Sequence, residues 1–372
     1  MLKSVSQPRI VTLYGRGSAR KLHSRLNVLV AAFLLSCLAY TFIFDSFNLP
    51  LGSACDTISK DLSKPRIDAG NSTLGFSSIL ALSVKPSWRS RGLLASAEYS
   101  GLDIQIPKQP FIAPELVEAF KNIPSKTGKQ PSSGSAYAWL AHLDLIKHAV
   151  TNNMETVLIV EDDVDWDVNI KTQMQLISDN LRKLTDINNT DKSPYGQAWD
   201  VLWIGHCGEH TSVDTPRIEF SDATVPPRNT YTGWANKYMY NIDAGKRAIQ
   251  IGVNPVCSFG YALTLKGAEK VLDWAGKGGN EAFDIRMLQG CQTKDLKCLV
   301  VNPEVMHHYQ PPKELGYTSL VAESDGKGVA ADEDKFEHVM GGTENIREST
   351  RCKVLFDTTC VKEHRDYWFK QT

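Results

Sequence analysis

Residues 156 to 160 read Thr-Val-Leu-Ile-Val, an apolar and largely β-branched run with no alternation, and the next three residues, Glu161, Asp162 and Asp163, are all carboxylates. A strand with no polar face must be covered on both sides, the situation of a central parallel strand in an α/β sheet. Open α/β sheets collect their ligands beyond the carboxyl ends of such strands. The run therefore predicts an α/β architecture and sets three mutually repelling acids at its binding edge.

The surrounding chain alternates in the same way. Ser78–Leu82 is a short apolar strand, Ser87 to Tyr99 has helical composition ended by Gly101, and Ile104–Ile106 restarts an extended segment. Lys121 to Ser135 reads as a flexible loop, and Ala136 to Asn152 spaces Trp139, Leu143, Ile146 and Val150 as one face of a helix. Further helices are expected over about Ile170 to Leu184, Lys266 to Trp274 and Phe283 to Gly290, and strands over Trp199–Gly205, Gly260–Thr264 and Cys298–Val301. Residues 206 to 256 carry several aromatics and little periodicity, so they read as a long loop over a binding face. From Gly316 onward the chain reads as a polar tail. Strands alternating with helices indicate an α/β sandwich.

A second feature decides topology. Residues 1–25 carry six basic residues and no acid, and Leu26 to Phe44 is a 19-residue stretch without a charge. As a helix this stretch spans roughly 28 Å, close to a bilayer's hydrocarbon thickness. Basic before and acidic after predicts a signal-anchor with its N-terminus in the cytosol. A cleaved signal peptide would have a shorter apolar region, and a buried helix fits poorly behind so many positive charges. The expected organisation is a basic tail over 1–25, a membrane span over 26–44, a stem over 45–73, a catalytic domain over 74–330 and a C-terminal extension over 331–372. This makes a type II membrane protein of the Golgi or endoplasmic reticulum.

Cysteine usage agrees with an oxidising compartment. Seven of the eight cysteines follow the apolar segment; Cys291 with Cys298 and Cys352 with Cys360 are close enough for local bridges, although full connectivity is not deducible. No Cys-x-x-Cys pair exists to suggest zinc. Asn71-Ser72-Thr73 and Asn188-Asn189-Thr190 are glycosylation acceptors. Net charge is −1, which gives no reason to expect nucleic acid as a partner.

Adjacent carboxylates repel unless a cation offsets them. Hard oxygen ligands suit Mn²⁺ or Mg²⁺, ions that also hold phosphates. Such an ion would neutralise the charge that builds on a nucleoside-diphosphate leaving group. The duller reading is a solvated acidic turn or a helix start. A rival reading takes Asp165-Trp166-Asp167-Val168 as the signature of a haloacid-dehalogenase-type phosphatase, but there the nucleophile follows the strand directly, and here Glu161 holds that place.

Six blocks, in order over about residues 78 to 312, resemble glycosyltransferase family 25, the lipooligosaccharide- and collagen-galactosyltransferase family, and its fungal members most. They are Gly134-Ser135 through His142, Val157 to Val168, Ser193–Gly196 with Trp199 to Gly208, Tyr261–Leu263 with Gly267-Ala268, Phe283–Ile285, and Val301–Pro303 to His307-His308. The resemblance implies a GT-A-type nucleotide-sugar-binding fold and inverting transfer of a hexose, often galactose from UDP-galactose, to a glycan or glycoprotein acceptor. It implies Asp163 as metal ligand, with Asp165 and His307 (or His308) as further metal candidates. Glu161 and Asp162 would help hold ribose and metal, and Asp284 would be the general base; Arg89 and Arg91 are candidate pyrophosphate contacts, with a surface role on the helix an equal alternative. His142 reads as a supporting core histidine. Trp199 and Trp203 read as core, while Trp234, Tyr238 and Tyr240 are candidates to stack on an acceptor sugar. His206 and Cys207 end a strand at the expected ligand face. Where the family's first strand carries Asn-Leu and then Asp-Arg, this chain has Ala81-Leu82 and Trp88-Arg89. That departure motivates the alternative of a catalytically silent relative that binds a glycan or a partner.

Overall fold

The computed structural model describes residues 63–123, 129–327 and 333–360. The expected basic tail and membrane segment and most of the expected stem lie outside the described residues, and no helix among those described is long and apolar enough to cross a membrane.

The chain alternates strands and helices as the periodicities predict. In order these are α1 (Lys64–Ala69), β1 (Ser78–Leu82), α2 (Trp88–Ser100), β2 (Ile104–Gln105), α3 (Pro114–Lys121), α4 (Ser133–Thr151), β3 (Thr156–Glu161), β4 (Val164–Trp166), α5 (Ile170–Leu184) and β5 (Val201–Gly205). They continue as β6 (Arg217–Ser221), β7 (Lys246–Ile251), β8 (Gly260–Thr264), α6 (Leu265–Ala275), α7 (Phe283–Thr293), β9 (Cys298–Asn302), β10 (Met306–Gln310), α8 (Leu320–Ser324), β11 (Gly342–Thr343) and α9 (Thr350–Phe356).

The main path of the sheet runs β2-β1-β3-β8-β5-β9-β7-β6, with β4, β10 and β11 branching from it. Strand β3 lies inside it, parallel to β1 and antiparallel to β8. The apolar run thus has parallel pairing on one side only, because β8 returns against it. Its coverage on both faces is as expected. Leu158 and Val160 enter one core with Trp166, Met174, Ile177 and Leu181. Val157 and Ile159 enter the opposite core with Trp139, Ile146, Val271 and Phe283. Period-2 alternation divides the run between the two layers, and each such side chain contributes roughly 1.5–3 kcal/mol of burial.

Helix α2 starts at a reciprocal cap, with the Ser87 hydroxyl accepting from Arg89 N–H and the Ser90 hydroxyl accepting from Ser87 N–H, and ends at Gly101 with φ 60°. That left-handed stop needs a residue free of a Cβ penalty. Three disulfides join Cys207 to Cys257, Cys291 to Cys298 and Cys352 to Cys360, the latter two being the local bridges expected from spacing.

Three expectations about organisation are corrected. The last residues of the 45–73 stem are folded: the compact unit begins at Ser63, Ala69 and Leu74 are fully buried, and Phe76 stacks on Tyr195 at 4.8 Å. A six-residue helix with Pro65 in its first turn is too short to show a period. Residues 206 to 256 contain the antiparallel pair β6–β7 at the sheet edge; the charged edge strand, with Arg217 bonded to Glu219 at 2.8 Å, lacks the apolar signature of a strand. The boundary at 330 also falls. Strand β11 pairs with β10, and Phe336, Ile346, Cys352 and Arg351 are buried, so the polar tail belongs to the same unit up to the last described residue.

Candidate active site

Strand β3 ends at Glu161 and β4 begins at Val164, so Asp162 and Asp163 form the turn between them. Each of the three acids has a different surrounding. Glu161 Oε1 accepts from the Ser258 hydroxyl at 2.8 Å and lies 3.8 Å from His142 Nε2. Burial pushes its carboxyl up, but the His142 ring, the Ser258 hydroxyl and the charge of His308 outweigh that and hold it below the ordinary value. Asp162 accepts from the Ser83 hydroxyl at 2.7 Å; burial raises it against the pull of Ser83, Arg89 and Arg351. Asp163 is half-buried, and its Oδ1 is a buried oxygen with no hydrogen-bond partner among the described residues. Burial, reinforced by the charges of Glu161 and Asp162, pushes its carboxyl to about 7.

Helix α4 brings His142 to this edge. Its Nδ1 faces the Tyr261 hydroxyl at 3.0 Å, and its ring stacks on Phe283 with centroids 4.6 Å apart. A buried ring so held supports Glu161, the supporting role expected of it.

Two guanidinium groups offset the acids. Arg89, at the start of α2, is buried, lies 4.9 Å from the Trp88 ring centroid, and bonds to the Tyr317 hydroxyl. The charges of Tyr317, Asp163 and Asp162 act on it and outweigh the burial that would lower it. A solvent-facing role on α2 falls instead to Arg91, which forks onto Glu337 at 2.5 and 2.7 Å. Arg351, on α9, is fully buried, and its Nη2 donates to the carbonyls of Arg89 and Asp162 at 3.0 Å and of Val164 at 3.4 Å. Gly92 makes room for it: a Cβ there would stand 2.8 Å from Arg351 Nη1.

Asp284 opens α7, where a first-turn acid suits the helix dipole. Its Oδ2 accepts the backbone N–H of Cys257 at 2.8 Å, which ties it to the Cys207–Cys257 disulfide. Burial raises its carboxyl, and the charge of Glu161 adds to the rise. The structure therefore gathers Glu161, Asp162, Asp163, Arg89 and Asp284 at one end of the sheet.

Two expected ligands are elsewhere. Asp165 is fully buried, its Oδ2 accepting from the Thr343 and Ser349 hydroxyls and its Oδ1 from Trp166 and Arg351 N–H at 2.8 and 3.0 Å. Both oxygens are occupied, so Asp165 anchors the C-terminal segment and is not a metal ligand. Asp167 is likewise bonded to Asn169 and to Glu348 N–H, which leaves neither acid of the phosphatase-like signature available as a nucleophile. His307 is buried at 4.0 Å from Glu304 Oε1 and 4.9 Å from the Phe259 ring; burial drives it down to about 4. Its ring lies 4.8 Å from that of His308, and both rings pack on Phe259; of the two it is His308 whose charge reaches Glu161.

Sequence reasoning missed Ser83, Ser258, Tyr317 and Arg351. His206 is a structural residue: its Nδ1 accepts from Gly208 N–H at 3.0 Å, its Nε2 faces the Val301 carbonyl at 2.9 Å, and burial lowers it to about 4.

Among the described residues no three His, Cys, Asp or Glu side chains form a ready metal cage. Mg²⁺-type sites seldom need one, since one or two carboxylates plus substrate phosphates suffice. The orphaned Asp163 oxygen and the excess negative charge around it fit a hard cation of that kind. The chain matches no known family model, and a search of curated proteins finds no match.

Proposed function

We infer that the protein is a metal-dependent glycosyltransferase of the secretory pathway, with a GT-A-type catalytic domain held in the lumen of the Golgi or endoplasmic reticulum by an N-terminal anchor. It moves a hexose from a UDP-sugar, in the first instance UDP-galactose, to a glycan or glycoprotein acceptor. One observation carries the reading: an Asp163 oxygen without a partner among the described residues, in the turn after an inner strand, beside the repelling charges of Glu161 and Asp162.

Asp163 and Asp162 would hold Mn²⁺ or Mg²⁺, which when bound stabilises the charge on the departing diphosphate. Arg89, fixed by Tyr317, supplies a permanent positive charge to the same phosphates. Ionised Glu161 accepts a hydroxyl of the donor's ribose. Asp284 takes the proton from the acceptor hydroxyl as that oxygen bonds to the sugar's anomeric carbon; the bond from that carbon to the phosphate oxygen breaks, and its electron pair leaves with UDP. A carboxyl raised above its ordinary value is the better base for this step near neutral pH.

The test is Mn²⁺-dependent hydrolysis of a panel of UDP- and GDP-sugars by the parent and by Asp163→Asn. The reading expects turnover of one UDP-hexose that Asp163→Asn abolishes. Turnover that survives this substitution, or no binding of any nucleotide, removes it.

A further inference from the structure

We propose that Trp234 is the floor of an acceptor subsite that takes a pyranose ring, so that the group accepting the hexose belongs to a carbohydrate. The assignment of this subsite to the acceptor rests on the transferase reading; the binding of a sugar there does not.

A single exposed aromatic residue is ordinary. Trp234 differs in how it is seated and where. It is 42% exposed on a loop pinned at both ends. Tyr231 donates to Glu304 at 2.8 Å, and Thr232 N–H donates to Asn345 at 2.8 Å. At the other end the Asn241 side chain donates to the Thr211 carbonyl and the Asn241 carbonyl accepts from Arg217, both at 2.7 Å. The indole also packs against Tyr238 with centroids 5.9 Å apart and planes at 79°, and Tyr238 packs on His210 at 4.4 Å. An aromatic surface fixed before binding loses little freedom when a ligand stacks on it.

The position follows from Gly208. Its φ is 137°, and a Cβ there would stand 2.9 Å from the Trp234 indole nitrogen and 2.6 Å from Ala235 Cβ. The absence of a side chain lets the indole lie directly on the backbone next to Cys207. Gly233 closes on the same residue, its Cβ position being 3.2 Å from the Cys207 carbonyl. Cys207 is bridged to Cys257, whose N–H is bonded to Asp284. The platform is therefore built onto the disulfide loop that positions the proposed base.

A pyranose matches this surface chemically. One face of the ring presents C–H groups that pack on an aromatic face, while the rim of hydroxyls needs polar neighbours. Asn236 and Lys237 follow the indole in sequence, His210 packs on Tyr238 beside it, and Lys237 Nζ stands 4.9 Å from the Tyr238 ring.

The experiment is saturation-transfer NMR on the full chain in a detergent without a sugar headgroup. The probes are methyl α-mannopyranoside and methyl β-galactopyranoside. The expected result is glycoside binding by the parent, weakened about tenfold in Trp234→Ala and largely restored in Trp234→Phe. Phe111→Ala, which removes an 87% exposed ring from another segment, should leave binding unchanged. Equal binding by the parent and Trp234→Ala overturns the proposal, as does the absence of any glycoside contact in the parent. UDP-hexose hydrolysis by the parent is measured alongside. Trp234-dependent glycoside binding without hydrolysis upholds the subsite and removes the transferase reading. Hydrolysis without glycoside binding removes the subsite alone, and loss of both removes both.

Discussion

Asp163→Asn should make the metal-free protein more stable while removing its response to metal. The Asp163 carboxyl moves from an ordinary value of 3.8 to about 7 on folding, so between those limits the folded state holds a proton that the unfolded chain has released. Parent stability therefore falls as pH rises across that window, by up to about 1.4 kcal/mol per pH unit. The full interval corresponds to about 4 kcal/mol above pH 7. Because Asp163 is half-buried and shares its field with two neighbouring acids, solvent screening brings the expected gain for Asn to about 1–3 kcal/mol. The assay is urea unfolding at pH 8 with a chelator, repeated at intervals down to pH 4. The variant should be the more stable at pH 8, and the gap should close towards pH 4. With Mn²⁺ and UDP at about a hundred times their dissociation constant, the parent should gain about 2.7 kcal/mol and the variant none. A variant that is less stable at pH 8, or that gains equally from metal and nucleotide, would refute the electrostatic reasoning.

Other substitutions separate the roles of neighbouring residues. Asp165→Ala leaves the Thr343 and Ser349 hydroxyls and a buried Arg351 without their shared acceptor, and should destabilise by about 3–5 kcal/mol with or without Mn²⁺, read by chemical denaturation. Asp284→Asn should lower transfer by about 10²–10⁴-fold while leaving UDP affinity, measured by calorimetry, near the parent's. Gly92→Ala improves helix propensity yet meets Arg351, so it should lower stability by about 1–3 kcal/mol in a thermal melt. His206 falls from 6.5 to about 4 on folding, so its contribution is complete above pH 6.5 and is lost as pH drops towards 4, a change of about 3 kcal/mol. The stability difference between the parent and His206→Gln should vary with pH across that window and be flat above it.

What could be read from the sequence was local. The Thr156–Val160 run showed an inner strand with three acids at its carboxyl end, because burial on both faces leaves a mark on five consecutive residues. Helix α4 was equally legible from one apolar stripe. The hairpin β6–β7 was not, since an edge strand with Arg217 and Glu219 on it carries no apolar mark. Asp163 and Asp165 are two residues apart and alike in type; only Thr343, Ser349 and Arg351, far along the chain, decide that the second is an anchor. Arg351 itself sits in a stretch of polar composition, and its contact with the Asp162 carbonyl spans 189 positions. His307 and His308 show the same limit at the smallest scale: two neighbouring rings pack on the same Phe259, and only the charge of the second reaches Glu161.

That dependence on late residues has a consequence for biosynthesis. Domains organise from the N-terminal side as a chain emerges, and here the strand bearing the acids leaves the ribosome long before the arginine that grips its turn. Until translation has passed Arg351 the carboxylate turn has no floor, and nascent chains halted earlier should be inert towards donor however complete their sheet.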